Sequence, residues 1–271
     1  MKEKVLLFTT CLLLATFTSC ASSKRIVGNG KLVTKEFKIG NYNGIDICGP
    51  IHFDYKCTSE APRLQVTVDE NIMPYVCVKI SSGTLEVSFC EKKGKVFDDD
   101  NYIQVRPTKC IVKSNSSKLN DISVLGGSNL SIADPFVTNN INMDISGGGS
   151  VLAKNLKANK VLCEVAGGGT IDLNCTTQSG KYEVSGGGTV ELAGTSENGH
   201  FEVSGGGRVE AYSYKVKDAN CDVSGGGTVK VFVTNTLNAD VSGGGDVYYK
   251  GNPEVEKSVS GGGSVRKARE E

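Results

Sequence analysis

A run of three glycines recurs through the second half of the chain at a nearly constant spacing. The triplets begin at Gly147, Gly167, Gly186, Gly205, Gly225, Gly243 and Gly261. Successive triplets are 18 to 20 residues apart, and the degenerate pair Gly126-Gly127 stands 21 residues before the first. A fixed period of this length is typical of a solenoid, in which each repeat is one coil that buries its apolar side chains only by stacking on its neighbours.

Branched apolar residues occupy two fixed positions beside every triplet. Two residues before the first glycine stand Val124, Ile145, Val165, Val184, Val203, Val223, Val241 and Val259. Four residues after it stand Leu130, Val151, Ile171, Val190, Val209, Val229, Val247 and Val265. Since side chains alternate between the two faces of a strand, these two columns are expected to face the core and the polar residues between them to face solvent. A flexible Gly-Ser linker would have no such columns.

The repeat therefore predicts an all-β fold, a single-stranded right-handed parallel β-helix (solenoid) with a less regular β cap at its N-terminal side. Parallel crossovers are right-handed in nearly all proteins, and the drift in coil length argues against a left-handed helix of six-residue repeats. We expect the triplets at sharp turns, where a positive φ or close backbone contact excludes other residues. On this basis Gly187→Val should destabilise the chain far more than Thr189→Val.

The first half of the chain is less regular and is predicted to form the cap. Residues 45–55 show the alternating pattern of one further coil around Gly49-Pro50. Further strands are expected at 64–68, 76–80, 85–89 and 102–105, with a charged loop at 91–101. Such a cap would cover the unpaired strand edges and the apolar core of the first coil.

The N-terminus has the pattern of an export signal. Lys2 and Lys4 precede an apolar run, 5–15, that is too short to span a bilayer. The sequence Phe17-Thr18-Ser19-Cys20 resembles a bacterial lipobox, so Cys20 is expected to become an acylated N-terminus, with an ordinary cleaved signal as the alternative. We expect a signal peptide at 1–19, a lipidated tether at 20–29, a β-helix domain at 30–266 with its cap at 30–120 and its coils at 121–266, and a charged tail at 267–271.

Eight cysteines follow Cys20, and their spacing does not match a zinc site. The chain has no Cys-x-x-Cys pair and only two histidines. Disulfides in an exported protein and buried thiols within strands are both open interpretations. Cys163 and Cys221 fall in the same inward column three coils apart, about 14 Å along the rod, which is beyond the reach of a disulfide.

Charge gives two further expectations. The 30 basic and 30 acidic residues cancel, so the chain has no net field that would attract nucleic acid. Three residues before the triplets, however, stand Asp144, Glu164, Glu183, Glu202, Asp222 and Asp240. Stacked carboxylates repel one another, and either solvent screening with nearby lysines or a bound cation such as Ca²⁺, or another cationic partner, would offset that repulsion.

Catalysis is the weaker interpretation of the surface. Asp222, Asp240 and Asp246 with Lys230 are the residues that a polysaccharide lyase or hydrolase could use, but similar residues repeat in every coil and no coil carries a unique cluster. The glycine turns lead into strands and not into a helix, so a phosphate loop is excluded. No catalytic residue, cofactor or metal is expected. A row of aromatic residues for glycan binding would need Tyr212, Tyr214, Tyr248 and Tyr249, which are scattered.

From about Gly30 to Val265 the chain resembles a known bacterial family, the autotransporter adhesin head GIN domain. The resemblance rests on residues 37–55, on 64–72 followed by 83–87, and on the Ser-Gly-Gly-Gly turns, where the family more often has Gly-Ser-Gly. It implies an exported β-helical protein typical of gut Bacteroidetes, suspected of adhesion and similar in shape to pectin lyase without the catalytic residues. We therefore expect a non-catalytic lipoprotein of the outer membrane, on an undecided face, that binds a host or envelope glycan or protein, with a passive envelope scaffold as an alternative.

Overall fold

The structure, a computed structural model, describes residues 25–90 and 103–269 of the 271-residue chain. Within these ranges almost every residue lies in a β-strand or in a turn between strands, and one short 3-10 helix spans Met73–Tyr75. No helix in the described ranges is long and apolar enough to cross a membrane. The predicted all-β class is confirmed. The expected export signal, Cys20 and the loop at 91–101 lie outside the described residues.

Eighteen of the described strands belong to one continuous hydrogen-bonded sheet, and the other two, β1 and β8, pair with each other. The strands before the regular coils are β1 Arg25–Val27, β2 Leu32–Phe37, β3 Gly44–Cys48, β4 His52–Cys57, β5 Leu64–Asp69, β6 Val76–Ser81, β7 Thr84–Phe89, β8 Gln104–Arg106, β9 Cys110–Ser116, β10 Asp121–Gly126 and β11 Asn129–Ile132. The strands of the coils are β12 Phe136–Gly147, β13 Ser150–Gly167, β14 Thr170–Gly186, β15 Thr189–Gly205, β16 Arg208–Gly225, β17 Thr228–Gly243, β18 Asp246–Gly251, β19 Glu254–Gly261 and β20 Ser264–Lys267.

Each regular coil is one long strand that runs from one triplet to the next. Strands β13 to β17 pair in parallel with the strand before and the strand after. The register aligns equivalent positions, so that Val165, Val184 and Val203 are direct neighbours on three successive coils. A register shift between Ala211 and Lys215 absorbs a difference in coil length. The predicted parallel solenoid is confirmed.

The core contains both predicted apolar columns and a third one. All members of the predicted columns are buried except Val259, which is 44% exposed because no further coil covers it. The third column, four residues before the triplets, contains Met143, Cys163, Tyr182, Phe201, Cys221 and Ala239. Cys163 and Cys221 therefore share a column three coils apart and, as predicted, are not bonded to each other.

Two of the described cysteines form a disulfide. The bond joins Cys77 in β6 to Cys90, which directly follows β7. The free thiols are those of Cys48, Cys57, Cys110, Cys163, Cys175 and Cys221, and the last four are buried. Both interpretations of the cysteines thus apply, a bridge in the cap and apolar thiols in the coils.

The three glycines of a triplet are not equivalent. The first has a positive φ in every triplet, +111° at Gly186, and a Cβ there would lie 2.9 Å from the carbonyl oxygen of Gly167 in the preceding coil. A Cβ on the third glycine, Gly188, would lie 2.5 Å from Cγ1 of Val165. The second, Gly187, faces open space. The prediction that Gly187→Val would be the damaging substitution is therefore wrong, because the steric constraint falls on the two flanking glycines.

The cap continues the solenoid with two coils that are not consecutive in the chain. Strands β3 and β4 pair in parallel with β10 and β11 and form the predicted coil around Gly49-Pro50. On the other side of that coil, β7 and β9 form one more. Three antiparallel strands then end the stack, with β6 on β7, β5 on β9 and β2 on β5. They pair the edge that a parallel stack would otherwise leave open.

A buried carboxylate fastens the cap. Asp69, at the end of β5, is 0% exposed and accepts hydrogen bonds from the backbone N–H groups of Gly30 and Thr108, each at 2.7 Å. A Cβ on Gly28 would lie 2.4 Å from this carboxyl group, so only glycine lets the chain pass there. Burial works against the charged form, but the hydrogen bonds outweigh it and hold the pKa of Asp69 below its ordinary value.

At the other end of the rod, the last coil has a charged residue at a position that is apolar in the coils before it. Strands β19 and β20 pair with the preceding coil only. In the third core column the residue that pairs with Ala239 is Lys257, whose Nζ lies 3.5 Å from the carbonyl oxygen of Val265. A charged side chain on the inward face of an edge strand opposes the addition of another strand. The stack therefore ends where this column changes from an apolar to a charged residue.

Candidate functional site

Six acidic residues form a continuous line on one outward face, which we call the acidic column. Its members are Asp144, Glu164, Glu183, Glu202, Asp222 and Asp240. The strand register pairs each of them with the next along the rod. All are exposed or partly exposed, and neighbouring strands lie about 4.8 Å apart. The column therefore presents a row of carboxylates on the strand segments that precede the triplets.

Two cationic or titratable side chains lie beside the middle of the acidic column. Nζ of Lys181 is 2.5 Å from a carboxylate oxygen of Glu183. Nε2 of His200 is 3.7 Å from Glu202, and its Nδ1 is 3.7 Å from Asp222. The contact of Lys181 offsets part of the repulsion within the column, in agreement with the interpretation that invoked solvent screening and nearby lysines.

The charge balance differs between adjacent members of the column. Partial burial and then the neighbouring carboxylates of Asp144 and Glu183 raise the pKa of Glu164. Burial also acts against the charged form of Glu183, but the hydrogen bond and charge of Lys181 outweigh it and lower that pKa. Ionisation of Glu164 thus opposes folding, whereas ionisation of Glu183 favours it.

Glutamine substitutions should separate these two residues. A carboxyl group whose pKa is raised in the folded state destabilises the protein at neutral pH, and the penalty is relieved as the pH falls through the folded pKa. We expect Glu164→Gln to raise the melting temperature at pH 7 and Glu183→Gln to lower it. Each change in the free energy of unfolding should be less than about 1 kcal/mol because the site is open to solvent. Melting curves at several pH values measure both, and shifts of the same sign would contradict the assignment.

A column of small residues runs beside the acidic column. Its members are Ser146, Ala166, Ser185, Ser204, Ser224, Ser242 and Ser260, all of them exposed. Shallow depressions of about 230 and 260 Å³ lie between the two columns. Among the described residues, no group of three His, Cys, Asp or Glu side chains is placed to hold a metal ion. This face can present carboxylates and hydroxyls to an extended partner.

The tyrosines considered for glycan binding do not form one exposed row. Tyr214 is buried, and its hydroxyl accepts a hydrogen bond from that of Tyr182 at 2.9 Å. Tyr212, Tyr248 and Tyr249 are partly exposed near the end of the rod, and the ammonium group of Lys250 lies 4.7 Å from the centre of the Tyr212 ring. The inclusion of Tyr214 in a surface row is therefore wrong.

The residues considered for catalysis lie on different faces. Asp222 and Asp240 are neighbours in the acidic column. Lys230 lies on the strand segment after a triplet and pairs with Glu210 at 3.0 Å. Asp246 accepts a hydrogen bond from Ser264. The structure does not bring the four candidates together.

A larger depression, which we call the cap groove, was not predicted from the sequence. It has a volume of about 940 Å³ and lies at the ends of β2, β4, β5 and β9, beside the connection 58–63. Asn115 fixes this connection, since its Oδ1 accepts a hydrogen bond from the N–H of Arg63 at 3.0 Å and its Nδ2 donates to the carbonyl of Ala61 at 3.2 Å. Two antiparallel strands, β2 and β5, help to form the groove, and no repeat in the sequence marks it.

Comparison with known proteins places this parallel β-solenoid in a family. The family described as "Putative auto-transporter adhesin, head GIN domain" matches residues 41–192 and 181–253, which together cover more than half of the chain. The chain therefore belongs to this family, as the resemblance predicted. No curated protein matches it.

Solved structures of proteins from two Parabacteroides species share the fold. A "Putative lipid binding protein" from Parabacteroides distasonis is 32% identical with a TM-score of 0.86, over 91% of this chain and 100% of that one. A "putative adhesin" from Parabacteroides merdae is 29% identical with a TM-score of 0.80, again over 91% and 100%. A second "putative adhesin" from Parabacteroides distasonis is 27% identical with a TM-score of 0.83, over 90% and 100%.

Proposed function

We propose that this protein is a non-catalytic adhesion or binding module of the bacterial cell envelope. The observation that carries the proposal is the outward face on which the acidic column and the column of small residues beside it run in register along the rod. A repeated, rigid array of this kind can contact an extended glycan or protein at many equivalent points. The adhesin descriptions of the family and of two neighbouring structures support the same class of function.

The export and anchoring of the protein are part of this proposal. Acylation of Cys20 would tether the solenoid to the outer membrane through residues 20–29. Radiolabelled palmitate should label the wild-type protein in cells and not a Cys20→Ser variant. Protease treatment of intact cells then tests the membrane side, because degradation of the solenoid would show display outside the cell and full protection would contradict adhesion.

Bead attachment tests the proposed binding face. Beads coated with the full chain should attach to a mucin-coated surface or to members of a panel of immobilised polysaccharides. Attachment should fall several-fold for a variant with Glu183→Gln, Glu202→Gln and Asp222→Asn. The matched control removes three exposed carboxylates elsewhere, by Asp172→Asn, Glu191→Gln and Glu254→Gln, and should attach as the parent does. Equal attachment of both variants would exclude the acidic column as the binding face.

Calcium tests the chemistry of the acidic column directly. Ca²⁺ binds several carboxylate oxygens, so millimolar Ca²⁺ should raise the melting temperature of the parent if the column binds cations. The increase should be absent in the Glu183→Gln, Glu202→Gln double variant. A parent that does not respond to Ca²⁺ would leave the column as a solvated surface with respect to metal ions.

Lipid binding is a second candidate function, and the cap groove favours it. One neighbouring structure is described as a lipid binding protein. A volume of about 940 Å³ is in the range of small-molecule sites. Direct titration with amphiphiles, described below, tests this candidate independently of adhesion.

A further inference from the structure

The cap groove brings three cationic side chains into one row. The register of β2, β5, β9 and β4 aligns the residues at the groove end of these strands. In order across the sheet they are Lys38, which follows β2, Arg63, which precedes β5, and the register pair Asn115 and Lys56. All three cations are exposed, and among the described residues none of them forms an ion pair. Lys38 and Arg63 are neighbours, whereas Asn115 separates Arg63 from Lys56, and an anion in the groove would relieve the repulsion among these like charges.

Three carboxylates, those of Glu36, Asp54 and Glu60, also line the groove, and among the described residues none of them forms an ion pair with this row. Glu36 and Asp54 belong to the neighbouring row, together with Gln65 and Lys113. The carboxylate of Asp54 is 3.2 Å from His52. The groove is thus lined by four cations and three carboxylates, and three of the four cations lie in the outermost row.

Apolar residues also contribute to the lining of the groove. Phe37, Ile39 and Pro62 are each partly exposed there. Phe37 and Ile39 also pack against the hydrophobic core, which holds them in place. The hydrogen bonds of Asn115 to the connection 58–63 keep that wall fixed, so the groove is formed before a ligand arrives.

We propose that the cap groove binds an amphipathic anion, a molecule with an alkyl chain and a carboxylate or phosphate head. The head contacts the row of Lys38, Arg63 and Lys56, and the chain lies against Phe37, Ile39 and Pro62. This inference rests on the second candidate function and specifies its site and the class of ligand. It does not depend on the acidic column.

Calorimetric titration of the full chain tests the proposal with four probes below their micellar concentrations. Laurate and dodecyl phosphate should bind, and their relative affinities distinguish a fatty acid from a phospholipid head. Dodecyl maltoside, which is uncharged, and inorganic phosphate, which has no chain, should each bind at least tenfold more weakly. The variant with Lys38→Gln, Lys56→Gln and Arg63→Gln should lose at least tenfold in affinity for both anionic amphiphiles. The matched control with Lys154→Gln, Lys157→Gln and Lys160→Gln should bind as the parent does.

The possible failures are distinguishable. Equal binding of dodecyl maltoside would overturn the anionic class, and equal binding of inorganic phosphate would overturn the role of the chain. Unchanged binding of laurate and dodecyl phosphate by the triple groove variant would overturn the site while lipid binding itself stands. No binding of any amphiphile would overturn both this inference and the second candidate function. Melting curves verify that the variant is folded.

Discussion

Gly186→Val is expected to destabilise the solenoid by about 4 kcal/mol, from positive-φ strain and from overlap with the preceding coil, which contribute roughly 1–3 kcal/mol each. The residue has a φ of +111°, and a Cβ would lie 2.9 Å from the carbonyl oxygen of Gly167, an atom of the backbone that cannot move independently of its coil. For a chain of this size the loss corresponds to a decrease in melting temperature of roughly 10 °C. Thermal unfolding followed by circular dichroism measures it.

The neighbouring glycines provide matched controls within the same turn. Gly188→Val should be about as damaging as Gly186→Val, because its Cβ would overlap Val165. Gly187→Val should change the free energy of unfolding by less than about 0.5 kcal/mol, since this position faces open space. If all three substitutions lowered the melting temperature equally, the described geometry of the turn would be incorrect.

Asp69→Ala is expected to destabilise the cap by about 3–5 kcal/mol. The substitution removes two hydrogen bonds to a charged acceptor, each worth roughly 1.5–3 kcal/mol, and leaves the N–H groups of Gly30 and Thr108 without this partner. Because the folded pKa of Asp69 is lowered, the contribution is present at pH values above the ordinary pKa and is lost as the pH falls through the folded pKa. Denaturant unfolding at pH 7 and in acid should therefore show a difference from the parent that shrinks in acid.

The adjacent acidic residue is the control for Asp69. Glu70 forms an exposed ion pair with Lys31 at 3.0 Å, and its side chain is 51% exposed. Exposed pairs contribute between about 0 and 1 kcal/mol, so Glu70→Ala should have little effect at any pH. If Glu70→Ala lowered the free energy of unfolding as much as Asp69→Ala does, the negative charge of this segment, and not the buried hydrogen bonds, would stabilise the cap.

The coils could be predicted from the sequence because their contacts are local and periodic. Once the triplets are aligned, the alternation of a strand determines which side chains point inward, and both apolar columns follow from it. The same rule fails at a bulge. The register shift between Ala211 and Lys215 reverses the alternation, and the side chain of Tyr214 is consequently directed into the core. The triplet spacing shows that this coil is longer than the next one, but it does not show where the additional residues are placed.

Other features depend on contacts or atoms that a residue pattern does not specify. Three consecutive glycines look alike in the sequence, and only the stacking of Gly186 and Gly188 on the preceding coil distinguishes them from Gly187. In the cap, β7 and β9 form one coil although β8 lies between them in the chain. Antiparallel strands pair with both of them. The cap groove arises from this long-range arrangement, so its cationic row became visible only with the structure.

Because the solenoid ends at the coil that contains Lys257, the number of coils between this end and the cap can change during evolution. Each internal coil contacts mainly the coil before and the coil after, while the cap and the Lys257 end hold the two termini of the stack. Recombination between neighbouring repeats in the gene can therefore delete or duplicate a whole coil without altering either end. Every added coil would extend the reach of the rod by about 4.8 Å and supply another copy of the outward residues. Length and the number of contacts offered to a partner would thus be inherited together, as a single trait on which selection can act.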